Sequence, residues 1–283
     1  MIGMIFLFWW GNNKGKPDNY GDMLAPFIVQ ALSGKRILKV SHPMRRIYRW
    51  FFKHYLTVGS IINVAGPNSI VWGSGIINSK QNVRGAKFLA VRGPRTRKRL
   101  LELGYQVPEV YGDPAILLPI LIENKTKTVY ELGIIPHYVD YDNLKEMFKD
   151  QPNVKIINLI TDDVVGTTNE ILECKKVIST SLHGLIVSHA YQIPALWVKI
   201  SEKLSGDDIK FFDYLESVGL FNFEKLNYVD RKLDLKTIDF LFLENKEFSL
   251  PKKELFSKRQ KELLNSCPFL KKKFKTLINE KWS

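Results

Sequence analysis

Hydrophobic and polar positions along the chain fall into two alternating textures. Short β-branched and aromatic runs ("IGMIFLFWW", "KRILKV", "SIVWGSGI", "KFLAVRG") are separated by segments whose apolar residues recur at helical spacing ("GDMLAPFIVQALSG", "PRTRKRLLELG"). The runs predict buried strands and the spaced segments predict amphipathic helices. Pro94 at the first position of one helix and glycines just past both helix ends fit the same reading. "PEVYGDPAILLPIL" predicts a strand end and a short apolar helix. The polar stretch "ENKTKTV" then breaks the pattern. Alternation resumes through "YELGIIPHYVD", "YDNLKEMFKD", "VKIINLI", "DDVVGTTNEILECK", "KVIST", "HGLIVSHAYQI" and "ALWVKI". Repeated strand–helix units predict α/β architecture, with parallel sheets covered by helices on both faces. Two domains are expected, 1–124 and 125–235, followed by a basic, mostly helical extension over 236–283. Turns at the strand ends of both would face one cleft, where ligands of open α/β sheets bind.

Composition changes this picture in one respect. Hydrophobic residues make up 45% and charged residues 25%, as in ordinary globular proteins, but 42 Lys and Arg against 29 Asp and Glu leave a net charge of +13. Such a balance favours an anionic partner. Ten of the basic residues fall in 251–283, against three Glu, interleaved with apolar residues at roughly helical spacing and divided by Pro268. Either this segment lies back on the protein with a solvated basic face, or it meets an anionic membrane surface. The patch "RRIYRWFFKH" (45–54) is read as an amphipathic segment on a membrane or on the core rather than as a nucleic-acid contact.

The two cysteines form no ligand or disulfide pattern and are expected as buried residues in a reducing compartment. The apolar start lacks the basic region and small-residue site of a signal peptide, and no run reaches the length of a membrane span, so a cytoplasmic protein is expected. Walker-type loops, HExxH, CxxC and GxSxG elbows are absent, and no metal or resident cofactor is expected.

Candidate chemistry sits at predicted strand ends. Gly21 and Asp22 open a helix, where free N–H groups suit an anion or where Asp22 acts as a plain N-cap. Gly73, Ser74 and Gly75 form a turn that could cradle a phosphate or carboxylate. Arg92 follows a strand and is expected to point its guanidinium fork into the cleft. Arg95, Arg97, Lys98 and Arg99 read as a solvated helix face. Ser181, Leu182, His183 and Gly184 form a strand–helix junction, with His183 placed for proton exchange and Gly184 keeping the backbone accessible. His189, among apolar neighbours on the opposite face of that helix, reads as a core histidine. His137, after a strand and Pro136, either lines the cleft or is structural.

In order along the chain, "NYGD", "VGSI", "VWGSGI", "AVRGPRT", "YGDPAILLP", "IIPHYVD" and "STSLHGLIVSHAYQIPAL" resemble the polysaccharide pyruvyltransferase family, from about residue 5 to about residue 220. The resemblance implies two Rossmann-like domains in a GT-B-like arrangement, phosphoenolpyruvate as donor substrate, and a glycan or lipid-linked saccharide as acceptor. The product it implies is a pyruvate ketal bridging two sugar hydroxyls. It maps the catalytic histidine to His183 and a donor-binding arginine to Arg92. Several members carry Arg where this chain has Ser181. The second cationic contact then falls to Lys199, Lys203 or Lys210, among which the sequence does not choose. The shared fold leaves a nucleotide-sugar glycosyltransferase as the second reading. A catalytically silent, membrane-associated assembly partner is the third.

Overall fold

The run "MIFLF" forms the strand Met4–Phe8 (β1), the second strand of a five-stranded parallel sheet. The structure, a computed structural model, describes residues 3–11, 17–42 and 52–282. Arg36–Lys39 (β2), His54–Leu56 (β3), Ser69–Trp72 (β4) and Lys87–Ala90 (β5) complete the first sheet in the order β2-β1-β3-β4-β5. Beyond the polar stretch 123–129 a second parallel sheet begins. Leu132–Ile135 (β6), Val154–Ile156 (β7), Val177–Ser179 (β8), Ala195–Lys199 (β9) and Leu226–Asn227 (β10) run in the order β10-β9-β8-β6-β7. β6 and β8 are buried at every position, as strands covered on both faces must be. The patch 45–54 lies outside the described residues except for its last three positions.

The helices follow the sequence signals closely. Tyr20–Ser33 (α1) starts where the Asn19 side chain accepts a hydrogen bond from Gly21 N at 2.9 Å, and it stops at left-handed Gly34. Asn19, not Asp22, is therefore the cap. Pro94–Glu102 (α2) begins on its proline. Leu118–Leu121 (α3), Tyr141–Met147 (α4), Val164–Leu172 (α5) and Leu182–Ala190 (α6) lie in the segments read as helical. Three elements were not foreseen: β3, too short to show alternation yet central in its sheet, the two-residue edge strand β10, and Ile209–Ser217 (α7).

The two sheets are tied together by helix contacts. The Tyr20 hydroxyl of α1 bonds Thr168 Oγ1 of α5 at 2.8 Å, and Tyr20 N donates to Leu159 O at 2.7 Å. The N-terminus of α2 is fastened to α7, as described below.

The segment expected as an extension is part of the core. Leu235–Glu244 (α8) buries Ile238 and Leu241, and Lys253–Asn265 (α9) and Lys272–Trp282 (α10) cross back onto the first sheet. Trp72 Nε1, fully buried in β4, donates to Leu263 O at 3.0 Å, and Gln260 Nε2 donates to Ile116 O at 2.7 Å. Lys271 N donates to Leu32 O of α1 at 3.0 Å. Phe269 meets Tyr55 and Trp72 edge-on, at 5.3 and 5.4 Å between ring centres. Lys272, Lys273 and Lys275 remain exposed as a solvated basic face. Cys174 and Cys267 are free, and burial pushes both thiols up to about 12, which leaves them unreactive near neutral pH. Among the described residues no helix is long and apolar enough to cross a membrane.

Phe269→Ala should cost about 3–5 kcal/mol, because the ring fills an aromatic slot that its neighbours cannot collapse into. Chemical denaturation monitored by circular dichroism measures this. A midpoint unchanged from wild type would show that the C-terminal strap does not contribute to the first sheet's core.

Candidate active site

A cavity of about 460 Å³ opens where the C-terminal ends of the two sheets face one another. Trp10 follows β1, Gly59, Ser60 and Ile61 follow β3, and Ile77 lies beyond β4. From the other sheet, His137 and Tyr138 follow β6, Ser181, Leu182 and His183 follow β8, and Lys210 is the second residue of α7. Strand ends and helix starts converge here because every strand in both sheets runs the same way.

His183 is the second residue of α6, and its Nε2 lies 3.8 Å from Asp113 Oδ2. Asp113 is fully buried, and it accepts hydrogen bonds from Gly59 N at 3.1 Å and Ala115 N at 3.0 Å. Asp113 is thereby held in place beside the ring. His183 Nε2 is itself buried without a hydrogen-bond partner, while the residue lines the cavity. The ring lies against α1, where a β-carbon at Gly21 would collide with the imidazole. Gly21 thus serves the histidine directly rather than an anion.

The charges around the ring divide by side. Burial pushes the Asp22 carboxyl up to about 6, although the neighbouring His183 pulls it the other way. Burial, reinforced by the nearby Arg92 charge, pushes Lys210 down to about 8. Burial likewise lowers His137 to about 4, and Lys210 adds to that shift, so the His137 ring is neutral near pH 7. His137 is held by its backbone N, which donates to Thr180 Oγ1 at 2.7 Å, while that hydroxyl donates to buried Asp140 at 2.9 Å. Ser181 caps α6 in position only, since its side chain makes no capping bond. The first-turn N–H groups of α6 therefore remain for a ligand or solvent.

The sequence left three lysines open as the extra cation. Only Lys210 lines the cavity. Lys199 is engaged by Glu202 at 2.6 Å and Asp208 at 3.0 Å, and Lys203 is exposed outside the cavity.

Arg92 does not point into the cavity. It is fully buried, with Nε donating to Asp213 Oδ2 at 3.0 Å, Nη1 to Ser60 Oγ at 2.6 Å and Nη2 to Ile76 O at 2.6 Å. Asp213, equally buried, also accepts from Thr96 N at 2.8 Å and Thr96 Oγ1 at 2.7 Å. Arg92 therefore supports the cavity through Ser60 and ties α2 to α7. Arg95, expected as part of a solvated face, pairs with Glu216 of α7 at 2.7 Å.

The turn Gly73–Gly75 is also buried and is not among the residues lining this cavity. Gly73 is left-handed at φ 92° and has Pro114 where a side chain would sit. Ser74 Oγ donates to Gly59 O at 2.9 Å and accepts from Ile61 N at 3.3 Å, and Gly75 lies against the Arg92 guanidinium. The turn thus braces the loop 59–61, which does line the cavity. Gly184 faces Ser179 and Ile135 of the sheet, so it permits close packing of α6 rather than ligand access.

His189 is buried and bonded at both nitrogens, to the Tyr214 hydroxyl at 3.0 Å and to Ala195 O at 3.1 Å, and burial lowers it to about 4. Among the described residues no group of three or more His, Cys, Asp and Glu comes together to hold a metal ion.

Asp113, Ser60, Trp10 and Tyr138 were not singled out from the sequence. Asp113 and Ser60 stand in "YGDPAILLP" and "VGSI", but nothing local to either stretch says that Asp113 reaches a histidine 70 positions away.

Two parallel sheets with a histidine, a lysine and an uncapped helix start meeting at their strand ends define an α/β enzyme of the group-transfer kind. Residues 19–202 match the family described as polysaccharide pyruvyl transferase. The chain is also 36% identical over 212 residues, 72% of each protein, to the uncharacterized protein L143 of Acanthamoeba polyphaga mimivirus. The chain belongs to the polysaccharide pyruvyl transferase family and is a transferase of that kind.

Replacing Arg92 by Met should destabilise the fold by about 3–5 kcal/mol, because Asp213 is left charged and buried without its partner. Arg92→Lys keeps the charge but loses the fork, and should fall between wild type and Met. Urea midpoints test both. An Arg92→Met protein as stable as wild type would remove the ion pair from the structural account.

Proposed function

We propose that the protein transfers the pyruvyl group of phosphoenolpyruvate onto two hydroxyls of one saccharide unit, leaving a pyruvate ketal and inorganic phosphate. The observation that carries this reading is His183, which lines a cavity with Lys210 and the start of α6 on its wall. Phosphoenolpyruvate is an anion at neutral pH, and Lys210 together with the first-turn N–H groups of α6 suits its phosphate or carboxylate.

Protonated His183 donates its proton to the methylene carbon of the donor as the first sugar hydroxyl adds to the carbon bearing the phosphate. That carbon becomes a ketal phosphate with a methyl group, and the hydroxyl proton leaves with the phosphate. The second hydroxyl adds to the resulting oxocarbenium centre and gives its proton to His183, which is restored for the next cycle. One phosphoenolpyruvate and two hydroxyls thus yield one ketal and one hydrogen phosphate. Buried Asp113 stabilises the imidazolium between the two proton transfers. Asp22, ionised above pH 6, is positioned to accept a hydrogen bond from an attacking hydroxyl.

Turnover with phosphoenolpyruvate in deuterium oxide should place one deuterium in each ketal methyl, read by mass spectrometry of the product. His183→Asn should lower kcat by roughly 10²–10⁴-fold, the range of a general acid–base group, with its melting temperature near that of wild type. A ketal free of deuterium, or a variant within threefold of wild-type kcat, would contradict the assignment.

Lys210 supplies a pH signature. It is charged below about 8 and neutral above, so donor affinity should fall as pH rises through 8. Lys210→Arg should move that limb beyond pH 10, since guanidinium stays charged. A donor KM flat from pH 7 to 9.5 in the wild type would exclude Lys210 from donor binding.

A further inference from the structure

Asp140 stands where α4 begins, and an aspartate at that position ordinarily caps its helix. This one makes no capping bond, and its side chain is buried against two hydroxyls instead. Oδ2 accepts from Thr180 Oγ1 at 2.9 Å, and Oδ1 accepts from Ser201 Oγ at 2.6 Å. Taking a carboxylate out of water is costly, and two hydroxyls return less of that cost than a cation would. Neither capping nor packing accounts for this residue.

The two hydroxyls have the cavity in common. Thr180 follows β8 just before the start of α6, which carries His183, and its Oγ1 also accepts from the backbone N of His137. Ser201 follows β9 and opens the segment 201–208, which leads into α7 and brings Ser205 and Lys210 to the cavity wall. The far end of that segment has its own anchors. Asp208 takes Lys199 at 3.0 Å and Lys225 at 3.3 Å, and Asp207 accepts from Ser79 N at 2.8 Å. Its near end is held to the ends of β6 and β8 through Ser201 and Asp140.

We infer that Asp140 is a positioning residue, which sets the segment carrying Ser205 and Lys210 against the strand end from which His183 is presented. It touches no substrate and acts through Ser201 on one side and Thr180 on the other. The inference rests on the pyruvyl-transfer reading for what Lys210 binds, but not for the coupling of the two walls. Charge and position make opposite demands here. Removing a carboxylate near the site would by charge alone favour an anion, so a loss of anion affinity reports position.

Two measurements on the full chain test this: isothermal titration with phosphoenolpyruvate, and hydrogen exchange read by mass spectrometry. Asp140→Ala should weaken phosphoenolpyruvate binding roughly tenfold or more, the scale on which misplaced groups act. Ser201→Ala should give part of that loss, and the double variant no more than Asp140→Ala alone, because the serine acts through the carboxylate. Asp140→Asn keeps an acceptor for one hydroxyl and offers a donor to the other, and should stay within about threefold of wild type. Exchange over 201–210 should rise in Asp140→Ala and Ser201→Ala but not in Asp140→Asn, while α9 keeps its protection. If Asp140→Ala fails to fold, half-buried Ser201→Ala decides by the same two readouts. Phosphoenolpyruvate affinity as tight as wild type in the alanine variants, or exchange over 201–210 unchanged in them, would overturn the inference. A wild-type protein that does not bind phosphoenolpyruvate would count against the transfer reading instead, and the exchange pattern would still decide the role of Asp140.

Discussion

A guanidinium removed from water must have both its charge and its N–H groups matched, and Arg92 meets this by reaching from the end of β5 to α7 of the other sheet. Asp213 receives one edge of the fork, while Ser60 and Ile76 receive the rest. The pair is not a source of large net stability, since taking two charges out of water costs about as much as their attraction returns. What it fixes is geometry. Because Asp213 also takes both polar groups of Thr96, the start of α2 cannot shift without unpairing a buried charge. Together with the bonds of Tyr20 to Thr168 and Leu159, that contact sets the relation between the two sheets on either side of the cavity.

The cavity in turn sorts charge along its length. On one side Arg92 lies beneath the surface, close enough to depress Lys210, and α6 presents its N-terminus. On the other, Asp22 and Asp18 stand together on or before α1. His183 lies between them, braced below by Asp113 and alongside by the backbone of Gly21. The site needs no large rearrangement to bring these groups together, because they are already held by the strands and helices that carry them.

Much of the frame was legible in the sequence, for physical reasons that also explain the misses. Parallel strands buried on both faces give unbroken apolar runs, so β1, β4, β5, β6, β8 and β9 announce themselves. Helix ends carry their own chemistry, which is why Pro94 and Gly34 mark boundaries correctly. His183 and His189 separate by environment alone, one at a helix start and one among apolar neighbours, and the structure places them accordingly. Arg92 defeated the same kind of reasoning. Its orientation is decided by Asp213, 121 positions on, in a helix whose pattern had not been recognised. The turn Gly73–Gly75 looks like an anion cradle from its composition, yet its glycines answer to Pro114 and Arg92 in space. Local sequence reports local conformation, and it is silent on which distant segment will press against it.

The C-terminal strap carries a consequence for the order in which the protein can be made. Trp72 sits in the fourth strand, but its indole N–H finds its acceptors at Leu263 and Ser266, and the slot beside it is filled by Phe269. On the ribosome, the strands of the first sheet emerge well before α9 and α10, and the sheet waits for them before its core is sealed. Throughout that interval Trp72 and Tyr55 lack the cover that Phe269 gives them, which is the kind of exposed apolar surface that chaperones retain. Sealing of the first sheet's core is therefore tied to the arrival of α9 and the segment that follows it.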